Sequence, residues 1–172
     1  MPGRFSFVIG GARSGKSAFA LGLASNLPGR KVFIATAEAF DQEMDERIRK
    51  HKEERGAEWE TVEEKKSLRE RVESLGPECA VVIDCLTLWI TNLLSAGLSD
   101  KEILDEAGAL ARACKESGSS VVAVSNEVGL GIVPDNALAR RFRDLSGAVN
   151  KEMASSAKEV WFLAAGLPLR MK

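Results

Sequence analysis

A glycine-rich turn near the start of the chain constrains the fold more than any other stretch. Residues 10–17 read Gly-Gly-Ala-Arg-Ser-Gly-Lys-Ser and match the pattern G-x-x-x-x-G-K-[ST]. The apolar segment 5–9 precedes this turn and the helix-forming segment 18–23 follows it. The motif therefore stands between a predicted strand and a predicted helix, as a phosphate-binding loop requires. The alternative, a glycine-rich turn with a chance Lys-Ser pair, lacks that agreement.

The loop predicts a site for a nucleoside triphosphate. Glycines can adopt backbone angles closed to other residues, so successive amide N–H groups can surround phosphate oxygens. Lys16 can place its ammonium on the β- and γ-phosphates, and the Ser17 hydroxyl can bind Mg²⁺. The predicted phosphate-binding residues are Gly10, Gly11, Ala12, Arg13, Ser14, Gly15, Lys16 and Ser17.

Composition excludes several classes of protein. The 24 basic residues nearly balance the 25 acidic residues, so net charge gives no reason to expect nucleic acid or an anionic membrane as a partner. No stretch is as long as the run of about 18 apolar residues that a membrane-spanning helix needs. No export signal is visible. Cys79, Cys85 and Cys114 are scattered, so we expect reduced core thiols. The sequence predicts a soluble cytoplasmic protein with small-molecule partners.

The rest of the chain alternates predicted strands and helices over a single domain, 1–172. Apolar runs predict strands at 31–36, 80–84, 120–125 and 160–164, with an edge piece at 169–171. Helices are predicted at 86–96, after Ser99, and after Asp135. The charged segment 38–75 predicts a helical excursion of one or two amphipathic helices. The fold class is therefore α/β, with a mostly parallel sheet and helices on both faces.

Several polar residues follow predicted strands, at the sheet edge where ligands bind in such folds. Asp84 is the candidate second ligand for Mg²⁺ beside Ser17. The alternative is that Asp84 only caps the helix that begins at Leu86. Glu38 and Glu63 or Glu64 are candidate nucleotide contacts.

Outside the loop, His51 is the residue that best distinguishes between possible functions of the chain. On a helix, Arg47, His51 and Arg55 would share one ridge beside an apolar stripe. Nearby cations disfavour protonation of an imidazole and attract a triphosphate, which suits a nucleophile beside bound phosphate. The alternative is a solvated histidine, and Lys52 with its acidic neighbours could equally be a solvated face.

Two other features keep two interpretations each. The loop with Asn126, Glu127, Gly129 and Gly131 either holds substrate or only turns the chain. The three arginines Arg140, Arg141 and Arg143 are interpreted either as an anion-binding group or as a contact with another subunit. Trp59, Trp89 and Trp161 are interpreted as core or interface aromatics.

Six motifs in order resemble one known family over nearly the whole chain. They are Gly-Gly-Ala-Arg-Ser-Gly-Lys-Ser at 10–17, Ile34-Ala35-Thr36, Asp41-x-Glu43-Met44-x-x-Arg47-Ile48-x-x-His51-x-x-x-Arg55, Trp59-x-Thr61-x-Glu63, Asp84-Cys85-Leu86-Thr87 with Asn92, and Ser125-Asn126-Glu127-Val128-Gly129-x-Gly131-Ile132-Val133-Pro134. Together they resemble the bifunctional adenosylcobinamide kinase / adenosylcobinamide-phosphate guanylyltransferase family of cobalamin biosynthesis.

The resemblance implies a RecA-like, three-layer P-loop NTPase with two reactions at one nucleotide site. A nucleoside triphosphate, ATP or GTP, phosphorylates the aminopropanol hydroxyl of adenosylcobinamide. GTP then transfers GMP to His51, and the cobinamide phosphate takes GMP to give adenosylcobinamide-GDP. The resemblance also implies a homo-oligomer such as a trimer, and nucleotide contacts from Thr36, Ala37, Glu38, Lys52, Glu63 and Asp84.

Two rival functions stay open. A simpler kinase would phosphorylate a small alcohol or nucleotide and use His51 only for binding. A nucleotide-dependent switch or assembly subunit would bind GTP without turning over a small molecule.

Overall fold

The computed structural model describes residues 3–37, 49 and 55–172. Seven strands are present among them: β1 Phe5–Gly10, β2 Arg30–Ala35, β3 Trp59–Glu63, β4 Cys79–Asp84, β5 Ser120–Asn126, β6 Glu159–Ala164 and β7 Leu167–Arg170. The described helices are α1 Lys16–Ser25, α2 Leu68–Ser74, α3 Leu86–Ser95, α4 Asp100–Glu116 and α5 Ala137–Ser156.

The strands form one sheet in the order β3-β2-β4-β5-β1-β6-β7. All neighbouring strands are parallel except β6 and β7, which pair antiparallel. The strands β1 and β4, which flank the central strand β5, are near-continuous apolar runs, as expected for parallel strands covered on both faces. Because β5 and β6 flank β1, the phosphate loop leaves from the interior of the sheet.

Helices cover both faces of the sheet. On one face, Ala20 and Ala24 of α1 pack with Val8, Val82 and Val124 of the strands. On the other face, a larger core includes Trp89 of α3, Leu110 of α4 and Met153 of α5. These layers confirm the predicted three-layer α/β class with a mostly parallel sheet.

The predicted helical excursion at 38–75 is wrong for part of its length. Residues 59–63 form the edge strand β3, which pairs in parallel with β2. Trp59 is buried while the next four residues are exposed or half-buried, so polar residues are tolerated there. Only Leu68–Ser74 is helical among residues 55–75. Residues 38–48 and 50–54 lie outside the described residues, and the single-domain assignment stays a prediction.

Two helix starts test the capping predictions. The Ser99 side chain accepts a hydrogen bond from the Glu102 N–H, and the Glu102 side chain accepts one from the Ser99 N–H, which confirms the predicted capping box. For α5 the predicted cap is wrong by one residue. The cap is Asn136, whose side chain accepts from the Ala139 N–H, and Asp135 precedes it.

The three cysteines are buried and free, as predicted. Trp59 and Trp89 are buried in the core, whereas Trp161 is half-buried with its ring edge-on to Phe19 at 5.3 Å between centroids. Within the described residues, no helix is long and apolar enough to span a membrane.

Candidate nucleotide site

The phosphate loop connects the buried end of β1 to the first turn of α1. Gly15 is the N-cap of α1 and has a φ of 90°, a left-handed angle that favours glycine. At position 10 a glycine is needed because there is no room for a side chain, and not because of the backbone freedom that the sequence predicted. A β-carbon at this position would collide with the Leu163 carbonyl oxygen of the adjacent strand β6. The loop therefore lies directly against the neighbouring backbone.

Lys16 is folded into the loop. Only 7% of the residue is exposed, and its Nζ donates a hydrogen bond to the Gly11 carbonyl oxygen, with Ser14 Oγ at 3.5 Å. Burial lowers the pKa of Lys16, while the nearby Cys85 and Asp84 groups act in the opposite direction. A phosphate in the loop would favour the charged amine, so the loop is suited to an anion.

Thr36 and Asp84 lie at the same edge of the sheet as the loop, since β1, β2 and β4 are parallel and all end there. Thr36 is fully buried, and its hydroxyl bonds to the Cys85 backbone. Asn92 of α3 donates to the Thr36 carbonyl oxygen at 3.0 Å. The backbone that carries Asp84 is therefore held by both β2 and α3.

Asp84 directly precedes the N-cap residue of α3. That residue is Cys85, whose side chain makes no capping hydrogen bond. The Asp84 residue is half-buried, and its charge acts against the effect of burial to raise the pKa of both Lys16 and Arg55. The roles of Asp84 as a metal ligand and as a cap both stay predictions.

Ser17 and Asp84 fit Mg²⁺ by donor chemistry, because a hydroxyl and a carboxylate are hard oxygen ligands. Both residues are half-buried, so neither is closed off from a ligand. No group of three or more His, Cys, Asp or Glu side chains forms a metal cluster within the described ranges.

Arg55 is buried rather than part of an exposed basic ridge. It lies in a turn and is 8% exposed. Its guanidinium carbon lies 3.7 Å from the centroid of the Phe33 ring, and Nη2 is 3.4 Å from Thr61 Oγ1. Burial lowers the pKa of Arg55, and the charge of Asp84 opposes that shift. The Arg55 charge therefore lies near Asp84, as does that of Lys16.

The other predicted residues divide into two groups. Ala37 follows Thr36 and is half-buried, and Glu63 ends β3 in register with Ala35, with its side chain exposed. Glu38, His51 and Lys52 lie outside the described residues. Their predicted roles stay predictions.

Sequence reasoning missed a polar row on α5. Asn150 Nδ2 donates to the Asn126 carbonyl oxygen at 3.1 Å, and Arg143 Nη2 donates to the Gly129 carbonyl oxygen at 3.0 Å. Ser146 and Asn150 are buried, at 1% and 6% exposure. The available signal was that the polar residues Ser146 and Asn150 directly follow the apolar residues Leu145 and Val149 in the sequence. The row holds the loop after β5 in place.

Comparison with protein families gives one match over nearly the whole chain. The model of the family described as cobinamide kinase / cobinamide phosphate guanyltransferase matches residues 6–171. The bifunctional adenosylcobalamin biosynthesis protein CobU of Salmonella typhimurium is 42% identical over 178 residues, which cover 96% of this chain and 98% of CobU. CobP of Pseudomonas aeruginosa, described in the same words, is 42% identical over 168 residues, covering 96% and 95%.

Two solved structures of very different sequence share the fold. A prototypical ATPase from the type III secretion system of pathogenic bacteria aligns with a TM-score of 0.58 at 12% identity, over 98% of this chain and 57% of its own. The P4 protein of bacteriophage phi6, in complex with ADP, aligns with a TM-score of 0.53 at 14% identity, over 96% and 54%. The chain thus spans just over half the length of each, and the likeness concerns the fold alone.

Proposed function

The chain belongs to the cobinamide kinase / cobinamide phosphate guanyltransferase family, and from this membership we propose two successive reactions. In the first, a nucleoside triphosphate phosphorylates adenosylcobinamide. In the second, GMP passes from GTP to His51 and then to the cobinamide phosphate, giving adenosylcobinamide-GDP. The protein would use one nucleotide site for both.

One observation supports the proposal most strongly. The buried amine of Lys16 lies inside the phosphate loop, and the charge of Asp84 acts on it from the end of β4. A cation held in a ring of backbone donors is suited to the β- and γ-phosphates of a triphosphate. The same cation would stabilise the charge on departing pyrophosphate, so both reactions could use it.

The second reaction exchanges one phosphorus bond at a time. A ring nitrogen of His51 attacks the α-phosphorus of GTP, and the bond to the bridging oxygen breaks to release pyrophosphate. A phosphate oxygen of the cobinamide phosphate then attacks the same phosphorus, and histidine leaves. A nucleophile of this kind divides a difficult transfer into two in-line steps.

Mg²⁺ is part of the proposal, with Ser17 and Asp84 as its protein ligands. When bound, it would neutralise charge on the phosphates. We propose further nucleotide contacts from Thr36, Ala37, Glu38, Lys52 and Glu63, a cytoplasmic location, and a homo-oligomer such as a trimer.

Labelling with α-³²P-GTP tests the covalent step. The wild-type protein should take up label that is acid-labile and base-stable, as expected for a phosphorus–nitrogen bond, and His51→Ala should lose the label while still phosphorylating cobinamide. Arg49→Ala is a matched control, because Arg49 is exposed two residues away, and it should keep the label.

Two other outcomes would contradict the proposal. A protein that phosphorylates cobinamide but never takes up label is a simple kinase. A protein that binds GTP and releases no pyrophosphate when cobinamide phosphate is supplied is a switch.

A further inference from the structure

We propose that a cavity beside the phosphate loop binds the acceptor alcohol of the kinase reaction, and that the Glu127 carboxylate accepts the hydroxyl proton. This inference rests on the proposed function, since it assigns a place to the second substrate. The cavity has a volume of about 360 Å³. Its walls are residues 11–14 of the loop, residues 162–165 at the end of β6, and Glu127 and Leu130.

The cavity adjoins the position that the transferred phosphate would occupy. Gly11 forms part of its wall, and the Gly11 carbonyl oxygen accepts the hydrogen bond from Lys16 Nζ. Because this lysine meets the β- and γ-phosphates in loops of this type, a triphosphate would end at the cavity. An alcohol in the cavity could then attack the γ-phosphorus.

Glu127 supplies the carboxylate among the residues that line the cavity. Its N–H donates to the Gly10 carbonyl oxygen at 2.9 Å, and its Oε1 accepts from the Gly129 N–H. No other hydrogen bond of this carboxylate is found among residues 3–37, 49 and 55–172. One carboxylate oxygen is thus fixed by the backbone while the other can accept a proton.

Side chains of α5 anchor the loop that carries Glu127. Asn150 of α5 bonds to the carbonyl oxygen of Asn126, and Arg143 bonds to that of Gly129. These anchors lie on both sides of Glu127. A carboxylate on an anchored loop is held in position for general-base catalysis better than one on a free loop.

The same loop presents apolar side chains to solvent. Leu130, at the cavity wall, is 82% exposed, and Ile132 and Val133 are 97% and 58% exposed. Neighbouring exposed apolar residues beside a cavity are typical of a binding surface. We therefore assign them to the apolar flank of a large acceptor whose hydroxyl arm enters the cavity.

The proposed kinase step is a direct transfer of the γ-phosphoryl group to the acceptor alcohol. The acceptor oxygen forms a bond to the γ-phosphorus, and the bond from that phosphorus to the β–γ bridging oxygen breaks. The nucleoside diphosphate leaves with the bonding electrons. The hydroxyl proton moves to Glu127, as an acidic residue accepts it in other phosphoryl transfers.

Glu127→Gln tests the base. The amide keeps an oxygen for the Gly129 N–H, so the loop should stay in place. We expect kcat for cobinamide phosphorylation to fall by about 100-fold or more, with an unchanged Kd for the nucleoside triphosphate. Glu116→Gln, an exposed change at the C-terminal end of α4, is the control and should phosphorylate normally.

Leu130→Ser tests the apolar flank without a risk to folding, because the side chain is mostly exposed. We expect KM for cobinamide to rise by about tenfold with kcat retained, which is the pattern of lost substrate binding. An altered subunit number in sedimentation, with KM unchanged, would show instead that the patch joins copies of the chain and would overturn this assignment.

The labelling of the protein by GTP needs no acceptor, so it separates the two proposals. Glu127→Gln should take up label like the wild type. Full kinase turnover in this variant would contradict the role of Glu127 as the general base. Loss of nucleotide binding or of label would show instead that Glu127 acts by holding the loop in place. A wild-type protein that neither takes up label nor phosphorylates cobinamide would overturn the proposed function and this site together.

Discussion

Thr36 and Cys85 are joined by two hydrogen bonds through one oxygen atom. Oγ1 of Thr36 donates to the Cys85 carbonyl oxygen and accepts from the Cys85 N–H, each at 2.7 Å. The Thr36 N–H also donates to the Asp84 carbonyl oxygen at 3.1 Å. The end of β2 therefore fixes the backbone that presents Asp84 to the phosphate loop.

Replacing Thr36 by valine should destabilise the protein. Thr36→Val keeps the shape but leaves the buried Cys85 N–H without its partner, at a cost of about 1–3 kcal/mol. The Cys85 carbonyl oxygen loses one bond and keeps the one from the Trp89 N–H at 3.2 Å. Urea denaturation should show the lower free energy of unfolding. Thr36→Ser, which keeps the hydroxyl, is the control, and an equal loss in both variants would assign the effect to the methyl group.

Replacing Lys16 by methionine should impair both proposed reactions. Because the amine would stabilise charge on the β- and γ-phosphates in each, we expect both rates to fall by about 100-fold or more. Single-turnover assays of GTP labelling and of cobinamide phosphorylation measure this. If only one rate fell, the two reactions would not share the site.

The lowered pKa of Lys16 predicts a pH dependence of binding. Since burial favours the neutral amine and phosphate favours the charged amine, nucleotide binding raises this pKa and takes up a proton. The affinity for the nucleotide should therefore weaken as the pH rises through the pKa of Lys16, which lies below the usual 10.5. Calorimetry in two buffers of different ionisation enthalpy measures the uptake. Lys16→Met should show no uptake, and equal uptake would contradict the assignment.

Arg55→Lys should lower stability although the charge is kept. A lysine cannot stack a planar group on Phe33, so we expect a loss of about 1 kcal/mol. Thermal unfolding of this variant and of Arg112→Lys, an exposed change on α4, provides the comparison. An identical Tm for both would mean that the stacking contributes nothing.

The Cys85 thiol should be unreactive in the native protein. Burial and then the charge of Asp84 raise its pKa to about 11, so almost none of it is thiolate at neutral pH. Burial also raises the pKa of Cys114. Mass spectrometry after brief iodoacetamide treatment should find both unmodified, and both alkylated in urea. Rapid alkylation of Cys85 without urea would contradict its burial.

Sequence patterns predicted most of the sheet because its inner strands are continuous apolar runs bounded by turn residues. They missed β3 because Glu60 and Glu63 make an edge strand look like its charged surroundings. The cap of α5 was misplaced by one residue because Asp135 and Asn136 are both good caps. In the same helix Leu138 is 62% exposed, whereas Leu145 and Val149 are buried.

The positions of the loop and of Asp84 at one edge of the sheet were predictable, because each lies at the end of a recognisable apolar strand. Their contacts with a nucleotide stay predictions. The burial of Arg55 on Phe33 was not predictable, because it depends on β3, which the pattern did not predict. The support of the loop after β5 by Asn150 depends on tertiary packing that no local pattern specifies.

The interior position of β1 has a consequence for local opening of the native state. All six residues Phe5–Gly10 are buried and paired with β5, and Ser6–Gly10 are also paired with β6, whereas all four residues of β7 are exposed at the edge. Amide hydrogens of β1 should therefore exchange with deuterium only when the whole sheet unfolds, while those of β7 exchange through local fraying. The glycine loop is thus attached to a strand that should open only with the whole sheet.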